Sequence, residues 1–188
     1  MLRTFVALEL PPEVKRLLTA TQASLRPSAR AVRWVDPAGA HLTLKFLGPT
    51  PEDGVEPVGA ALRAAAEGHG SLRLATGRPG AFPSTRAPRV LWLGLDGDVA
   101  RLGQLQQKVE TAIAPLGYPS ESRPFSPHLT LGRVRQEIGN AERVAVGAAV
   151  GAAAAPPPIA FEIDEVSLML SELSPLGARY SRLLTVPL

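Results

Sequence analysis

The sequence predicts an α+β fold, built from two small β-sheets with helices packed on the outside. Some stretches alternate polar and apolar residues, as half-buried strands do, and others have apolar residues at helical spacing. The two kinds of stretch follow one another along the chain. An apolar content of 45% over 188 residues is enough to fill a core. The tetrapeptide His-Leu-Thr-Leu occurs at 41–44 and again at 128–131, nearly half a chain apart. This spacing predicts duplicated halves with pseudo-twofold symmetry rather than a solenoid of short repeats.

The first half of the chain contains both kinds of element. Pro11, Pro12 and Glu13 are typical of a helix start, because proline and an acid are favoured in the first turn. The dipeptides Asp36-Pro37 and Gly48-Pro49 interrupt regular structure and end two strands. The predicted elements are a strand over 2–8, a helix to about residue 25, strands over 31–35 and 41–47, and a helix over about 53–66.

The second half follows the same alternation. Asp98 is predicted to cap a long helix, because the apolar residues that follow it recur at helical spacing. Gly147 and Gly151 weaken the prediction of a helix over 141–155, which three prolines then end. The predicted elements are strands over 71–76 and 89–95 joined by a Pro- and Gly-rich connection, a helix to 113, strands over 128–134, 159–170 and 178–186, and the helix over 141–155. No low-complexity linker divides the halves, so residues 1–188 are expected to form a single bilobal domain.

Composition restricts the classes of function. The chain has no cysteine, which excludes disulfides, thiolate catalysis and cysteine-bound metals. The net charge is +3, and 17 arginines outnumber 3 lysines. Arginine presents a planar fork that suits phosphate and stacks on bases, so an anionic partner is expected. No run approaches the roughly 20 apolar residues of a membrane span, and no signal peptide is recognised, so the predicted location is cytoplasmic.

The repeated tetrapeptide carries the candidate chemistry. On a strand, successive side chains point to opposite faces, so the leucines enter the core while His41 and Thr43 share the other face. His128 and Thr130 do the same in the second copy. Histidine carries protons near neutral pH, with an unperturbed pKa of about 6.5. Two histidines across a cleft can remove one proton and supply another, and the threonine hydroxyls can hold phosphate oxygens.

Two cations near the motifs have alternative interpretations. Strict alternation places Arg133 with Leu129 and Leu131, away from His128, unless a bulge at Gly132 re-aims it toward a phosphate. Lys45 shares the face of His41 by the same parity. It is predicted either to contact phosphate or to be an ordinary solvated strand residue.

The remaining candidates are aromatic residues and the third histidine. Trp34 and Phe82 either stack on nucleic-acid bases or pack in the core, and Trp92 is predicted to be core. His69 lies between two glycines and is expected to be a solvated loop residue. We expect no metal, because the paired histidines lack an obvious third ligand and no His-Glu-x-x-His motif occurs. We also expect no nucleotide cofactor, because the chain contains neither a P-loop nor a Gly-x-Gly-x-x-Gly motif.

Eight segments together resemble a known family. They are RTFVA at 3–7, VRWV at 32–35, HLTLKFLG at 41–48, FP at 82–83, PRVLW at 88–92, SPHLTLGR at 126–133, LS at 170–171 and GARY at 177–180. This pattern resembles the two-histidine (2H) phosphoesterase superfamily. Within it, the chain is most similar to the bacterial and archaeal RNA 2′,3′-cyclic phosphodiesterases, historically called 2′-5′ RNA ligases.

The resemblance implies a fold and a reaction. The fold would be bilobal, with two antiparallel sheets around a central cleft and one motif on each. The reaction would open a 2′,3′-cyclic phosphate at an RNA or oligonucleotide end to a 2′-phosphate, without metal or cofactor, in a monomer. His41 would be the proton donor and His128 the proton acceptor, while Thr43, Thr130 and Arg133 would hold the phosphate. The reverse reaction would join RNA ends through a 2′-5′ linkage.

Two other functions stay open at this point. One is a phosphodiesterase acting on small cyclic nucleotides or 2′-5′ oligoadenylate, because substrate choice depends on cleft width and on the aromatic residues that line it. The other is a protein that binds RNA ends without catalysis. The paired histidines argue against the second, because binding alone does not need two imidazoles.

Overall fold

Residues 1–174 and 177–188, which this computed structural model describes, form nine β-strands and four α-helices. The strands are β1 Leu2–Glu9, β2 Val32–Trp34, β3 His41–Thr50, β4 Leu72–Phe82, β5 Val90–Gly97, β6 Leu129–Val134, β7 Ala160–Ile163, β8 Glu165–Ser174 and β9 Gly177–Pro187. The helices are α1 Pro12–Leu25, α2 Val55–Ala66, α3 Val99–Ile113 and α4 Asn140–Ala152.

The strands assemble into two antiparallel sheets, which confirms the predicted fold class. The first sheet has the order β3-β1-β8-β9 and the second has the order β2-β6-β5-β4-β7. Each sheet draws strands from both halves of the chain: β2 joins the second sheet, and β8 and β9 return to the first. One copy of the repeated motif therefore belongs to each sheet.

One continuous hydrophobic core lies between the sheets and the helices. It contains buried residues from all four helices and from both sheets. Helix α2 contacts α3 and the β8–β9 hairpin, whereas α4 packs on β4. Helix α1 is tied to the second sheet by Gln22, whose Nε2 donates to the carbonyls of Val35 at 2.8 Å and Leu131 at 3.0 Å. None of the helices in the described part of the chain combines the length and the apolar character that a membrane span requires.

Three strand predictions were wrong in their extent. Gly48-Pro49 does not end the first motif strand, because β3 continues through it to Thr50 and stays paired with β1. The first part of the Pro- and Gly-rich connection belongs to β4, which continues to Phe82 with a register shift between Thr76 and Pro79, and only residues 83–89 form a loop. The bulge accommodates Pro79, which has no N–H to offer the ladder. The predicted strand over 159–170 is two strands, β7 in the second sheet and β8 in the first. The chain changes sheets at Asp164, whose carbonyl accepts from the amide of Leu188 at 2.8 Å.

The predicted cap of α3 has a different role. Asp98 occupies the position before the helix, but its side chain makes no capping bond. Its carboxylate instead accepts from the backbone N–H of Arg73 at 3.0 Å and from the guanidinium of Arg101 at 3.1 Å. Asp98 therefore ties the start of α3 to β4.

The two glycines of α4 are predicted to respond to alanine in opposite directions. A Cβ at Gly147 would lie 1.8 Å from the carbonyl oxygen of Thr85, whereas a Cβ at Gly151 would meet nothing within 4 Å. Gly147→Ala should lower the free energy of unfolding by about 1–3 kcal/mol, because backbone must move. Gly151→Ala should raise it by up to about 1 kcal/mol through the better helix propensity of alanine. Urea unfolding of both variants measures this, and equal effects would show that α4 does not pack on the 83–89 loop as described.

Candidate functional site

The two motifs occupy equivalent places in their sheets. His41 is the first residue of β3, and His128 directly precedes β6. The four motif leucines are buried, and the histidines and threonines are partly exposed, as the alternation predicted. We call the surface of each sheet that faces away from the hydrophobic core its site face.

Each imidazole is held through the same ring nitrogen. Nδ1 of His41 lies 2.8 Å from the carbonyl oxygen of Gly39, and Nδ1 of His128 lies 2.7 Å from that of Ser126. A carbonyl only accepts, so Nδ1 is the protonated donor in both rings. This leaves Nε2 of each histidine to exchange protons with a ligand. The alternation of side chains along the strands did not predict these contacts, in which each histidine is held by the carbonyl of the residue two positions before it.

The turn that supplies the Gly39 carbonyl is itself fixed. The side chain of Asp36 accepts from the backbone N–H of Ala38 at 3.0 Å. Lys15, from α1, donates to the carbonyl of Ala38 at 2.8 Å. A Cβ at Gly39 would lie 3.0 Å from the ring of Tyr180, so glycine permits this close approach.

Aromatic rings contact both histidines. The ring of His41 lies 4.6 Å from that of Phe5 and 4.9 Å, edge to face, from that of Tyr180. The ring of His128 lies 4.9 Å, edge to face, from that of Phe82. These contacts fix the planes of the imidazoles and remove them partly from water. The structure thus places Phe82 against His128, and its role in substrate binding stays a prediction.

Burial lowers the pKa of both histidines below the ordinary value. For His41, the bond to Gly39 opposes this effect, Lys15 lowers the pKa further and Glu9 raises it. For His128, the bond to Ser126 opposes burial, and the positive charge of Arg133 lowers the pKa further. Partial burial of an imidazole disfavours its charged form.

A β-bulge in each motif decides which side chain follows the threonine on the site face. In the pairing of β3 with β1, Leu44 is an extra residue that lies opposite no residue of β1. In the pairing of β6 with β5, Leu131 is the extra residue. After each extra residue the alternation is inverted. Arg133 is consequently exposed, between buried Gly132 and buried Val134, and its charge acts on His128. The bulge that the sequence offered as one alternative for Arg133 is present.

The same inversion makes both interpretations of Lys45 wrong. Its side chain is only 2% exposed, and its Nζ lies 2.5 Å from Oε2 of Glu110 on α3. Nζ also donates to the carbonyl of Pro119 at 2.9 Å, in the segment that leads to His128. Gln106 donates to the other carboxylate oxygen of Glu110 at 3.2 Å. On the core side of the first sheet, Lys45 therefore links β3 to the segment that precedes the second motif.

Of the two tryptophans, Trp92 does not lie where it was predicted, whereas Trp34 follows one of its two predicted alternatives. Trp92, predicted as core, pairs with Thr130 in the sheet and shares its face. Its ring lies over Gly80, where a Cβ would approach to 2.2 Å, and 5.1 Å from the ring of Phe82. Trp34 shares the face of buried Val32, packs against the main core and lies under the guanidinium of Arg26. The packing interpretation therefore fits Trp34, and we leave it out of the site.

Several site-face residues were missed by sequence reasoning. Arg33 pairs directly with Arg133 across β2 and β6, and both are exposed. Glu9 pairs with His41 across β1 and β3 and accepts from Arg182 at 2.7 Å and from Ser167 at 3.0 Å. Like charges opposite one another on a sheet repel, so the arginine pair favours an anion between or above them.

His69 is a partly exposed residue in the loop after α2, in keeping with its prediction, but its ring also contacts the backbone. Its ring nitrogens lie 3.0 Å from the carbonyl oxygen of Gly70 and 3.1 Å from that of Arg101. It joins the end of α2 to the start of α3. Over the described part of the chain, no group of three or more His, Asp or Glu side chains is placed to hold a metal ion.

This arrangement defines a class of protein. Two antiparallel sheets that each present a His-x-Thr strand are the architecture of two-histidine phosphoesterases. The chain superposes on the crystal structure of E. coli LigT complexed with 3′-AMP with a TM-score of 0.77, at 25% identity, covering 100% of this chain and 98% of that one. It matches TT0787 of Thermus thermophilus with a TM-score of 0.75, at 30% identity, covering 99% of this chain and 97% of that one.

Sequence comparison gives the family. Residues 10–174 match the model of the 2′-5′ RNA ligase superfamily. A protein of Thermus thermophilus named RNA 2′,3′-cyclic phosphodiesterase is 31% identical over 184 residues, covering 96% of this chain and 87% of the relative. One of the same name from Methanothermobacter thermautotrophicus is 29% identical over 188 residues, covering 95% of each. The chain belongs to the 2′-5′ RNA ligase superfamily, as the motifs indicated.

The buried Lys45–Glu110 pair is predicted to cost stability when one partner is removed. Lys45→Met leaves the Glu110 carboxylate buried without its cation and should lower the free energy of unfolding by about 3–5 kcal/mol. The double variant Lys45→Met/Glu110→Leu should regain most of that loss, because no charge is left unpaired. Denaturant unfolding of the single and double variants tests this, with exposed Lys108→Met as the control. Additive losses would show that the two side chains do not interact.

The two motif histidines are predicted to titrate below about pH 6.5, the value of an unperturbed imidazole. Because their folded pKa values are lowered, both neutral rings stabilise the fold above that pH, and the contribution is lost as pH falls through the folded values. NMR titration of the ring Cε1–H signals measures the midpoints, with His41→Ala and His128→Ala spectra for assignment. Midpoints at or above pH 6.5 would contradict the burial described.

Proposed function

We propose that this chain hydrolyses 2′,3′-cyclic phosphate ends of RNA or oligonucleotides to 2′-phosphates by paired general acid and base catalysis. The observation that carries the proposal is the matched anchoring of the two imidazoles: each is bound through Nδ1 to a backbone carbonyl, so each Nε2 is available. The names of the relatives support the substrate class.

The proposed reaction needs one proton removed and one supplied. Nε2 of His128 takes a proton from a water molecule as the water oxygen attacks phosphorus. Nε2–H of His41 gives a proton to the 3′-oxygen as the P–O3′ bond breaks. The product is a 2′-phosphate beside a 3′-hydroxyl, and solvent returns the histidines to their starting states. With a 5′-hydroxyl in place of water as the nucleophile, the same proton transfers in the same direction would form a P–O5′ bond, break the P–O3′ bond and give a 2′-5′ linkage.

Burial and the charge of Arg133 favour the neutral form of His128, the form that a base requires. To donate from Nε2, His41 must carry a second proton beside the one on Nδ1. Glu9 favours that charged form, but burial is the largest effect and lowers the pKa of His41 overall. In the proposal Arg133, Thr130 and Thr43 hold the phosphate oxygens, Phe82 orients His128, and no metal or cofactor takes part. Charge-assisted contacts from a guanidinium are suited to such an anion.

The experiment is a turnover assay on an oligonucleotide that ends in a 2′,3′-cyclic phosphate. His41→Ala and His128→Ala should each reduce kcat by about 10²- to 10⁴-fold, and the double variant should be little worse than either. His69→Ala is the matched control and should turn over at the wild-type rate. A near wild-type rate in either motif variant would refute the mechanism, as would an EDTA-sensitive rate restored by a divalent ion.

Further variants and substrates distinguish the proposed phosphate-binding residues from the two histidines that transfer protons. Arg133→Lys should be clearly impaired, because one ammonium does not reproduce a forked contact. Thr43→Val and Thr130→Val should cost less than loss of a histidine, about 1–3 kcal/mol of transition-state stabilisation. Cyclic mononucleotides and 2′-5′ oligoadenylate tested in parallel would reveal a preference for small substrates, and tight binding of the oligonucleotide without turnover would indicate an end-binding protein.

A further inference from the structure

Residues 118–127 lead into the second motif without regular secondary structure. Over the part of the chain that the structure describes, one hydrogen bond joins them to a helix or strand: Nζ of Lys45, in β3, donates to the carbonyl of Pro119 at 2.9 Å. Phe125 adds packing against the main core. The path of the chain toward His128 therefore depends on few contacts, and one of them comes from the first motif strand.

The side chain of Lys45 is itself firmly held. It is buried against the buried carboxylate of Glu110, with Nζ 2.5 Å from Oε2. Gln106, one turn earlier on α3, donates to the other carboxylate oxygen at 3.2 Å and to the carbonyl of Leu44 at 3.5 Å. Leu44 is the extra residue of the first motif bulge. The network therefore holds the bulge of β3, helix α3 and the carbonyl of Pro119 against one another.

The orientation of the His128 ring depends on residues 118–127 rather than on the second sheet. The carbonyl that accepts from its Nδ1 belongs to Ser126, which lies within this segment, and β6 begins only at Leu129. A displacement of the segment would move this carbonyl and re-aim Nε2 of His128 while β6 stays paired.

We propose that Lys45 is a positioning residue that aims the imidazole of His128. By holding residues 118–127 to β3, it places the carbonyl to which that ring is bound. This inference rests on the proposed function, because the aim of the ring matters when both histidines act on one phosphate. A reacting group misplaced by about 1 Å costs up to about 10²-fold in rate, so a contact outside the site is enough to change the rate.

Two variants separate positioning from stability. Lys45→Met/Glu110→Leu leaves no buried charge unpaired but removes the donor to Pro119. It should keep most of the wild-type stability and lower kcat on the oligonucleotide cyclic phosphate about 10- to 10²-fold, with KM nearly unchanged. Glu110→Gln should do the reverse. The lysine loses its anion, so stability falls, but its amino group still donates to Pro119, so kcat stays near that of wild type.

Exposed Lys108→Met is the control and should change neither quantity. A wild-type kcat in the folded double variant would overturn the proposal, as would an equal loss of kcat in Glu110→Gln. If the double variant does not fold, Lys45→Met and Glu110→Gln are compared at a temperature where both are folded. Both break the ion pair, so a loss of kcat in Lys45→Met alone supports positioning, and equal kcat values refute it.

A measurement without turnover separates failure of this inference from failure of the proposed function. NMR of the ring Nδ1–H protons reports on the two matched anchors, Ser126 for His128 and Gly39 for His41. In the double variant the His128 signal should shift or exchange faster with water, and the His41 signal should stay as in wild type. If the wild-type chain does not hydrolyse the substrate, the proposed function fails, and an unchanged His128 signal in the double variant still refutes the positioning role of Lys45.

Discussion

One extra residue in each motif strand determines what the rest of the site can contain. Without the bulge at Leu44, Lys45 would lie beside His41, and Phe46 would be driven into the core. Without the bulge at Leu131, Arg133 would face away from His128. A bulge inverts the alternation of every residue after it while leaving the strand paired. The positions of the cation and of the exposed ring both depend on that inversion.

The residue that follows each bulge points into the core, and its contacts differ between the two sheets. At this point the second motif has Gly132, where a Cβ would come within 2.6 Å of Val32. The first motif has Lys45, which reaches α3 and bonds Glu110 and the carbonyl of Pro119. A buried charge is tolerated when it is paired and hydrogen-bonded. In the second sheet, glycine at this position lets β2 lie close to β6. In the first sheet, lysine at the same position joins β3 to α3 and to the segment before the second motif.

Sequence reasoning recovered the features that depend on local pattern. The repeated tetrapeptide, its alternation and the helical periods predicted the two sheets, the motif strands and the buried leucines. The bulges that relocate Lys45 leave no mark in composition or period, although aligning the two copies would have paired Phe46 with Arg133. Trp92 was assigned to the core because it stands among apolar residues, but strand parity places it over Gly80 on the site face. Asp98 resembled a helix cap, and only the tertiary position of Arg73 reveals its other partner.

The order of strands in the first sheet has a consequence for how the protein is made. β1 and β3 are translated early, and the ring that completes the surroundings of His41 belongs to Tyr180 in β9. The second sheet likewise combines β2 with strands that follow it by many residues. A nascent chain that has emerged only through its first motif therefore holds His41 without the ring of Tyr180, and the surroundings of this histidine are complete only when β9 has been synthesised.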